Sequence, residues 1–230
     1  DGEVTSLINP EQYRGLGEDG SILLKNNNLH IEIVCDQEKS LHKSGIFDVI
    51  LESAITTIVD FEDSASTVSD DEKIHAYRNY LGLMKGDLNT EFIKGGETLT
   101  RSLNPDKRYK DSSGKIFCLS GTSLTLVRNV GLHMFSQLVT NKDGTSVPEG
   151  ILDAMITSLI ALHDLKIKGN SKKGSFYIVK PKLHGPEEVR FTMKLFSLVE
   201  KALLLNKNTL KIGVMDEERR TSINLMSCIH

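Results

Sequence analysis

Tryptophan is absent from this 230-residue chain, and there are only three cysteines and five prolines. Three scattered thiols (Cys35, Cys118, Cys228) make neither a disulfide framework nor a metal-binding spacing, so free thiols in a reducing, cytoplasmic setting are expected. No apolar run approaches the roughly 18 residues that a membrane span needs. The opening residues, Asp1-Gly-Glu-Val, lack the basic and apolar segments of a secretory signal. Neither sign of charge dominates: 28 Lys and Arg face 31 Asp and Glu, a formal net charge of −3 that gives no pull toward nucleic acid or an anionic membrane. No GxGxxG follows the first strands of the rhythm described below, and no Walker-type P-loop is present. The chain has no initiator methionine, and Thr221–His230 reads as a helix barely begun, so a piece of something longer is expected.

What is present is ordinary globular material, 39% hydrophobic and 26% charged. Its organising stretch is Leu210-Lys-Ile-Gly-Val-Met-Asp-Glu-Glu-Arg219. A short buried strand (Leu210, Ile212, Val214, Met215) runs straight into three acids and an arginine, and the break in alternation at Val214 and Met215 suggests cover on both faces. Three earlier segments end the same way: Thr56–Asp63, Leu124–Asn129 and Ser175–Lys182. Each is an apolar run that stops at a charge and precedes a helical pattern. The spacing leaves room for a helix between successive strands, which implies right-handed crossovers and a parallel sheet. A (β/α) barrel and an open doubly wound sheet both fit, and the lack of phosphate-binding glycines after the first strands favours the barrel.

Between these strands the pattern fixes several helices. Ser69-Asp-Asp-Glu72 is a capping box for a helix that stops near Gly86, so those acids have a structural task. Pro148-Glu149 starts a second helix with the stripe Ile151, Leu152, Met155, Ile156, Leu159 and Ile160. Pro186 opens a third, with Val189, Met193, Phe196, Val199 and Leu203 inward. Elsewhere, Leu29–Cys35 alternates as a strand, with His30 and Glu32 read as surface groups after a turn at Asn26–Asn28. Ile46–Ile55 carries apolar residues at helical spacing (Phe47, Ile50, Leu51, Ala54). Composition therefore divides the chain into four parts: 1–52 irregular, 53–87 strand and helix, 88–122 a glycine-broken basic excursion, and 123–230 the resumed rhythm.

Residue types then narrow the chemistry. Collected at one rim, the strand ends supply Asp60 and Glu62, Arg128, then Lys180, Lys182 and His184, then Asp216, Glu217 and Glu218. Glu217 is a hard oxygen ligand suited to Mg²⁺, and Asp60 and Glu62, two apart on one strand, face the same way and suit metal-bound waters. Arg128 is a fixed fork that can clamp a carboxylate or steady a developing oxyanion. A divalent metal with an arginine would polarise the carbonyl of a small oxo-acid. No general base is evident among these residues.

Val59-Asp-Phe-Glu-Asp-Ser64, Tyr77–Gly86, Arg128-Asn-Val-Gly131, Tyr177–Pro186 and Met215-Asp-Glu-Glu-Arg-Arg-Thr221 together resemble the malate synthases, specifically their long G form. The resemblance runs in order through nearly the whole chain. It implies a Mg²⁺-dependent (β/α)8 barrel that joins acetyl-CoA to glyoxylate, giving malate and CoA in the glyoxylate cycle, and a monomer at full length. It also implies that 1–52 and 88–122 form most of an inserted α/β domain, with barrel strands two to five in this chain and the barrel incomplete. Arg128 then matches the arginine that binds glyoxylate and stabilises the enolate. Glu217 matches a ligand of both Mg²⁺ and glyoxylate, Asp60 and Glu62 match acids holding metal waters, and Ser64 and Arg101 line the acetyl-CoA site. The family's aspartate base and second metal aspartate fall outside this chain, so catalytic silence of the chain alone is expected. The rival expectations are a non-catalytic structural piece and another Mg²⁺-dependent barrel lyase acting on oxo-acids and CoA thioesters.

Overall fold

A computed structural model describes residues 6–52, 55–64 and 67–230; the Asp1–Val4 stretch and Ala54 weighed above lie outside them. The elements run in chain order through β1 (Tyr13–Gly17), β2 (Ile22–Asn26), β3 (Leu29–Cys35) and β4 (Ile46–Leu51). Next come β5 (Thr56–Asp60), α1 (Asp70–Lys85), β6 (Asn89–Lys94), β7 (Glu97–Ser102), β8 (Lys107–Lys110) and β9 (Ile116–Leu119). The last stretch holds β10 (Leu124–Arg128), β11 (Phe135–Thr140), β12 (Ser146–Pro148), α2 (Glu149–Ile167), β13 (Phe176–Lys180), α3 (Pro186–Ala202), β14 (Leu210–Val214), α4 (Arg219–Ser222) and α5 (Leu225–Ile229). Two compact units interleave in sequence: one takes residues 1–55 and 104–123, the other 56–103 and 124–230. The basic excursion 88–122 is thereby divided, its β6–β7 hairpin counted with the second unit and β8–β9 with the first.

The first unit is an antiparallel sheet in the order β4-β3-β2-β1-β8-β9. Asn27 and Asn28 close the β2–β3 hairpin at φ +47° and +65°. Two successive left-handed residues match the twist of the strands, and asparagine tolerates that region better than most. Two readings change here. Ile46–Leu51 is the edge strand β4 rather than helix, paired with β3 from Ile31↔Leu51 to Cys35↔Ile46. Its Ile and Val side chains favour a pleated strand, and apolar residues on both faces mimic helical spacing by coincidence. Glu32 is not on the surface: it is 6% exposed, and accepts hydrogen bonds from Ser21 (3.0 Å), Tyr109 (3.0 Å) and Lys107. Burial opposes its charge, but these three donors win and hold the carboxyl below the usual range.

The second unit carries the parallel sheet, in the order β14-β13-β10-β5. The connections from β5 to β10, β10 to β13 and β13 to β14 each contain a helix, as the sequence rhythm requires. A β11–β12 hairpin stands between β10 and α2, where a helix alone was expected. Four such strands with their helices form part of a (β/α)8 barrel. Among the described residues the sheet stays open, with β5 and β14 at its edges.

Helix packing gives this unit its core. Ser69 caps α1 by accepting from the Glu72 amide while Glu72 accepts from the Ser69 amide (2.8 Å), and Gly86 ends the helix at φ +76°. Phe61, Tyr77, Tyr80, Met84, Val127, Ile178, Phe196 and Val199 are buried together beneath the helices. Phe61, 1% exposed, packs at a tilt against Tyr77 at 4.9 Å and meets Tyr80 edge-on at 6.1 Å. Burying such a side chain contributes roughly 2–3 kcal/mol, so this residue, placed between Asp60 and Glu62, anchors the loop leaving β5. No described helix is long and apolar enough to cross a membrane.

Candidate active site

Parallel register brings the strand ends together. Arg128 is the cross-strand partner of Asp60, so their side chains leave the same rim one strand apart. The guanidinium grips Asp60 with both arms, Nε to Oδ1 at 2.8 Å and Nη2 to Oδ2 at 2.5 Å. This forked pairing is what arginine geometry supplies and lysine cannot. Burial works against the Asp60 charge, but the Arg128 hydrogen bonds outweigh it and hold the carboxyl below its ordinary value. The same contact pushes the guanidinium further toward its charged form.

The other carboxylates join through Lys182. Its ammonium donates to Glu62 Oε1 at 2.8 Å and lies 3.4 Å from Asp63, contacts that raise its pKa, Glu62 foremost. The Lys182 amide donates to Glu217 Oε1 at 2.7 Å. Lys182 sits at φ +52°, a left-handed turn that lets amide and ammonium serve two carboxylates. Glu62 Oε2 is buried without a hydrogen-bond partner and lies 3.9 Å from Arg128 Nη1. Arg128 Nη1 also reaches Met215 Sδ at 3.9 Å.

The predicted residues thus separate into two groups. Asp60, Glu62, Arg128 and Glu217 share one hydrogen-bonded rim, with Lys182 as the link that ties Glu217 to the rest. Ser64 lies on the same loop, its carbonyl accepting from the Thr67 amide and hydroxyl, each at 3.1 Å. Arg101 is apart from this rim on the β6–β7 hairpin, stacked over the Phe92 ring at 4.9 Å. A cleft of about 530 Å³ opens beside Glu62, Asp63, Lys73, His133, Glu149 and Lys182. Among the described residues no group of three or more His, Cys, Asp or Glu side chains is arranged to hold a metal ion.

Beneath the rim lies a buried charge cluster that sequence reasoning missed. Lys73 pairs with Glu149 (2.8 Å) and Asp153 (3.1 Å), and Tyr77 donates its hydroxyl to Asp153. Lys180 donates to the Val130 carbonyl. Burial pushes the Lys180 ammonium down to about 8, against the pull of Asp153 and Glu62. The available signal was Asp153 itself, a charge set within the apolar stripe of α2.

Comparison with known proteins places these features. A family model described as malate synthase, TIM barrel domain, matches residues 124–230, starting where β10 begins. Malate synthase G of Halalkalibacterium halodurans is 50% identical over 238 residues, covering 99% of this chain and 33% of its own length. The malate synthase G of Corynebacterium efficiens is 47% identical over 247 residues, covering 100% of the chain and 33% of itself. That of Corynebacterium glutamicum is 47% identical over 236 residues, with 98% and 32% covered. The chain spans about a third of the length of the curated relatives it matches. Similarity of this degree along the whole chain, with an open parallel portion of the barrel underneath it, makes the chain a member of the malate synthase family.

Proposed function

We propose that this chain supplies one wall of the active site in a malate synthase that condenses acetyl-CoA with glyoxylate and then hydrolyses the resulting thioester with water, releasing malate and CoA. The observation that carries this reading is the forked Arg128–Asp60 pair at the carboxyl rim, with Glu62 joined to it by its amide's hydrogen bond to Asp60 Oδ1 (2.9 Å) and Glu217 joined to Glu62 through Lys182. Carboxylates beside a fixed cation at the ends of parallel strands form a site for a small anion and a hard metal.

In this reading Arg128 binds the carboxylate of glyoxylate and steadies negative charge as it develops on the enolate oxygen of the acetyl group. Asp60 keeps the guanidinium oriented, so no reorganisation is required at the moment of reaction. Lys182 orients Glu62 and, through its amide, Glu217. Ser64 and Arg101 meet acetyl-CoA, where a cationic side chain suits the phosphates of the carrier. Proton removal from the acetyl group falls to a carboxylate outside this chain, as the family resemblance implies.

Mg²⁺ fits the donor set in part. Glu217 offers a hard oxygen, and the unpartnered Glu62 oxygen would accept a hydrogen bond from a water of the ion, as would Asp60. Mg²⁺ takes one or two protein carboxylates and keeps several waters, so three clustered side chains are not required. When bound, the ion would polarise the aldehyde carbonyl of glyoxylate. The reading places the protein in the glyoxylate cycle and in the cytoplasm, as a monomer at full length.

The test is CoA release by a full-length protein carrying this chain. Release should require both acetyl-CoA and glyoxylate, fail with pyruvate or oxaloacetate, and be abolished by Arg128→Ala. The 230-residue chain alone should be silent. Turnover that ignores glyoxylate, or survives Arg128→Ala unchanged, would refute the reading.

A further inference from the structure

The reaction proposed above gives no task to the charges buried beneath the rim. Lys73, Asp153 and Lys180 are 2%, 0% and 1% exposed, and they come from α1, α2 and β13. Taking charges out of water is costly, and apolar side chains of similar volume often fill such space at lower cost. The geometry shows what the charges do instead.

They converge on two peptides of the rim. Lys73 donates to the Phe61 carbonyl at 2.9 Å, the residue between Asp60 and Glu62. Asp153 Oδ2 accepts from the Val130 amide at 2.9 Å, and Lys180 donates to the Val130 carbonyl. Val130 is two residues beyond Arg128, and both backbone polar groups of this residue, on the peptides either side of its Cα, are held by buried ions. Asp153 also accepts from Tyr77 and pairs with Lys73, which ties the two loops into one network. The fit is close: a Cβ placed on Gly150 would lie 2.7 Å from Lys180 Nζ and 3.0 Å from the Gly131 carbonyl.

We infer that Asp153 is a positioning residue for the reaction: through the Val130 peptide and Lys73 it sets Arg128 and the Asp60–Glu62 loop at one fixed separation. It touches neither substrate. Its effect therefore falls first on the partner that Arg128 binds, the small oxo-acid, and less on acetyl-CoA, which also meets Arg101 on the β6–β7 hairpin outside this network. The inference rests on the reading of Arg128 given above.

The test compares Asp153→Asn with the parent in the full-length protein, by steady-state kinetics with each substrate varied and by amide hydrogen exchange. Misplacing a reacting group by about an ångström costs up to about a hundredfold, so kcat/KM for glyoxylate should fall about 10- to 100-fold. The KM for acetyl-CoA should stay within about twofold, and exchange at 128–131 should quicken while α3 is unchanged. Values of kcat and both KM within about twofold of the parent would overturn the inference. So would a loss of Vmax with both KM unchanged that is matched by an equal loss of folded protein, read by circular dichroism on the same samples. If Asp153→Asn does not fold, Tyr77→Phe decides, because it keeps the ions and removes one hydrogen bond to Asp153. A loss of about three- to tenfold in the same parameter supports the inference, as expected for about one hydrogen bond, and no loss overturns it. If the parent itself shows no glyoxylate-dependent release, the reading of the function fails, and exchange at 128–131 alone decides the positioning role: local quickening supports it, unchanged or uniform exchange overturns it.

Discussion

Gly150→Ala offers a test in which two physical effects predict opposite signs. Gly150 lies in the first turn of α2, and by helix propensity alone alanine should stabilise by up to about 1 kcal/mol. The surroundings argue otherwise. The new methyl would meet Lys180 Nζ at 2.7 Å, the Gly131 carbonyl at 3.0 Å and the Val130 carbonyl at 3.3 Å. Two of these are backbone and cannot swing aside. Lys180 has a flexible stem, but it is buried, and moving it breaks the hydrogen bond to Val130. Overpacking of this kind costs about 1–3 kcal/mol, and a lost bond from a charged donor costs about 1.5–3 kcal/mol. The two overlap, since yielding to one relieves the other, so the net after the propensity gain is a destabilisation of about 1–3 kcal/mol. For a unit of this size that lowers the melting temperature by roughly 2–4 °C per kcal/mol. Far-ultraviolet circular dichroism is the suitable assay, because every α-helix among the described residues belongs to the unit that holds Gly150. A melting temperature that rises would refute the packing described for Lys180 and leave propensity in command.

Four further outcomes follow from the same geometry. Arg128→Lys in the full-length protein should lower kcat about 10²- to 10³-fold, because one ammonium cannot hold Asp60 with two arms and still stabilise developing charge; a loss below tenfold would show that the fork is dispensable. Chelation of divalent ions should abolish CoA release and Mg²⁺ should restore it, whereas undiminished activity in excess chelator would remove the metal from the mechanism. Ser69→Ala should cost about 1 kcal/mol by uncapping α1, read as a lower melting temperature that Ser69→Asp largely restores. Asp60 has a folded pKa below its ordinary 3.8, so its stabilising charge is fully present above that value and is lost as pH falls through the lower folded value. Asp60→Asn should therefore flatten the fall in stability on acidification in that window, and an unchanged acid slope would show that the Arg128 contact does not persist in solution.

The parallel half of the chain was readable because its signals are local and mutually consistent. Strands ending in charge, a capping box at Ser69 and prolines at helix starts each specify structure within a few residues, and the observed β5, β10, β13 and β14 lie where the apolar runs were. The first unit was less readable. Ile46–Leu51 is apolar on both faces, so periodicity could not separate strand from helix, and only pairing with β3 decides it. Glu32 shows the same limit from the other side. It alternates correctly along β3, but whether its face meets water depends on Lys107 and Tyr109, more than seventy residues away.

The site itself divides along the same line. Asp60, Arg128 and Glu217 could be named from strand ends, because in a parallel sheet all carboxyl ends share a rim whatever the side-chain detail. Lys182 carried no such signal as a link, since its role depends on a left-handed backbone that presents amide and ammonium to different carboxylates. The Lys73–Asp153–Lys180 cluster is the sharper case. Lys73 sits in a helix start already explained by capping, and Asp153 sits in a stripe already explained by core packing. Each local account was sufficient, and that concealed the conflict: a carboxylate at 0% exposure cannot be ordinary core. An ionisable residue at an inward helical position is therefore better read as a demand for a partner than as noise in the stripe. Here the demand is met by the backbone that follows Arg128 and precedes Glu62, which places the cost of burying charge at the rim where the proposed reaction calls for precise placement.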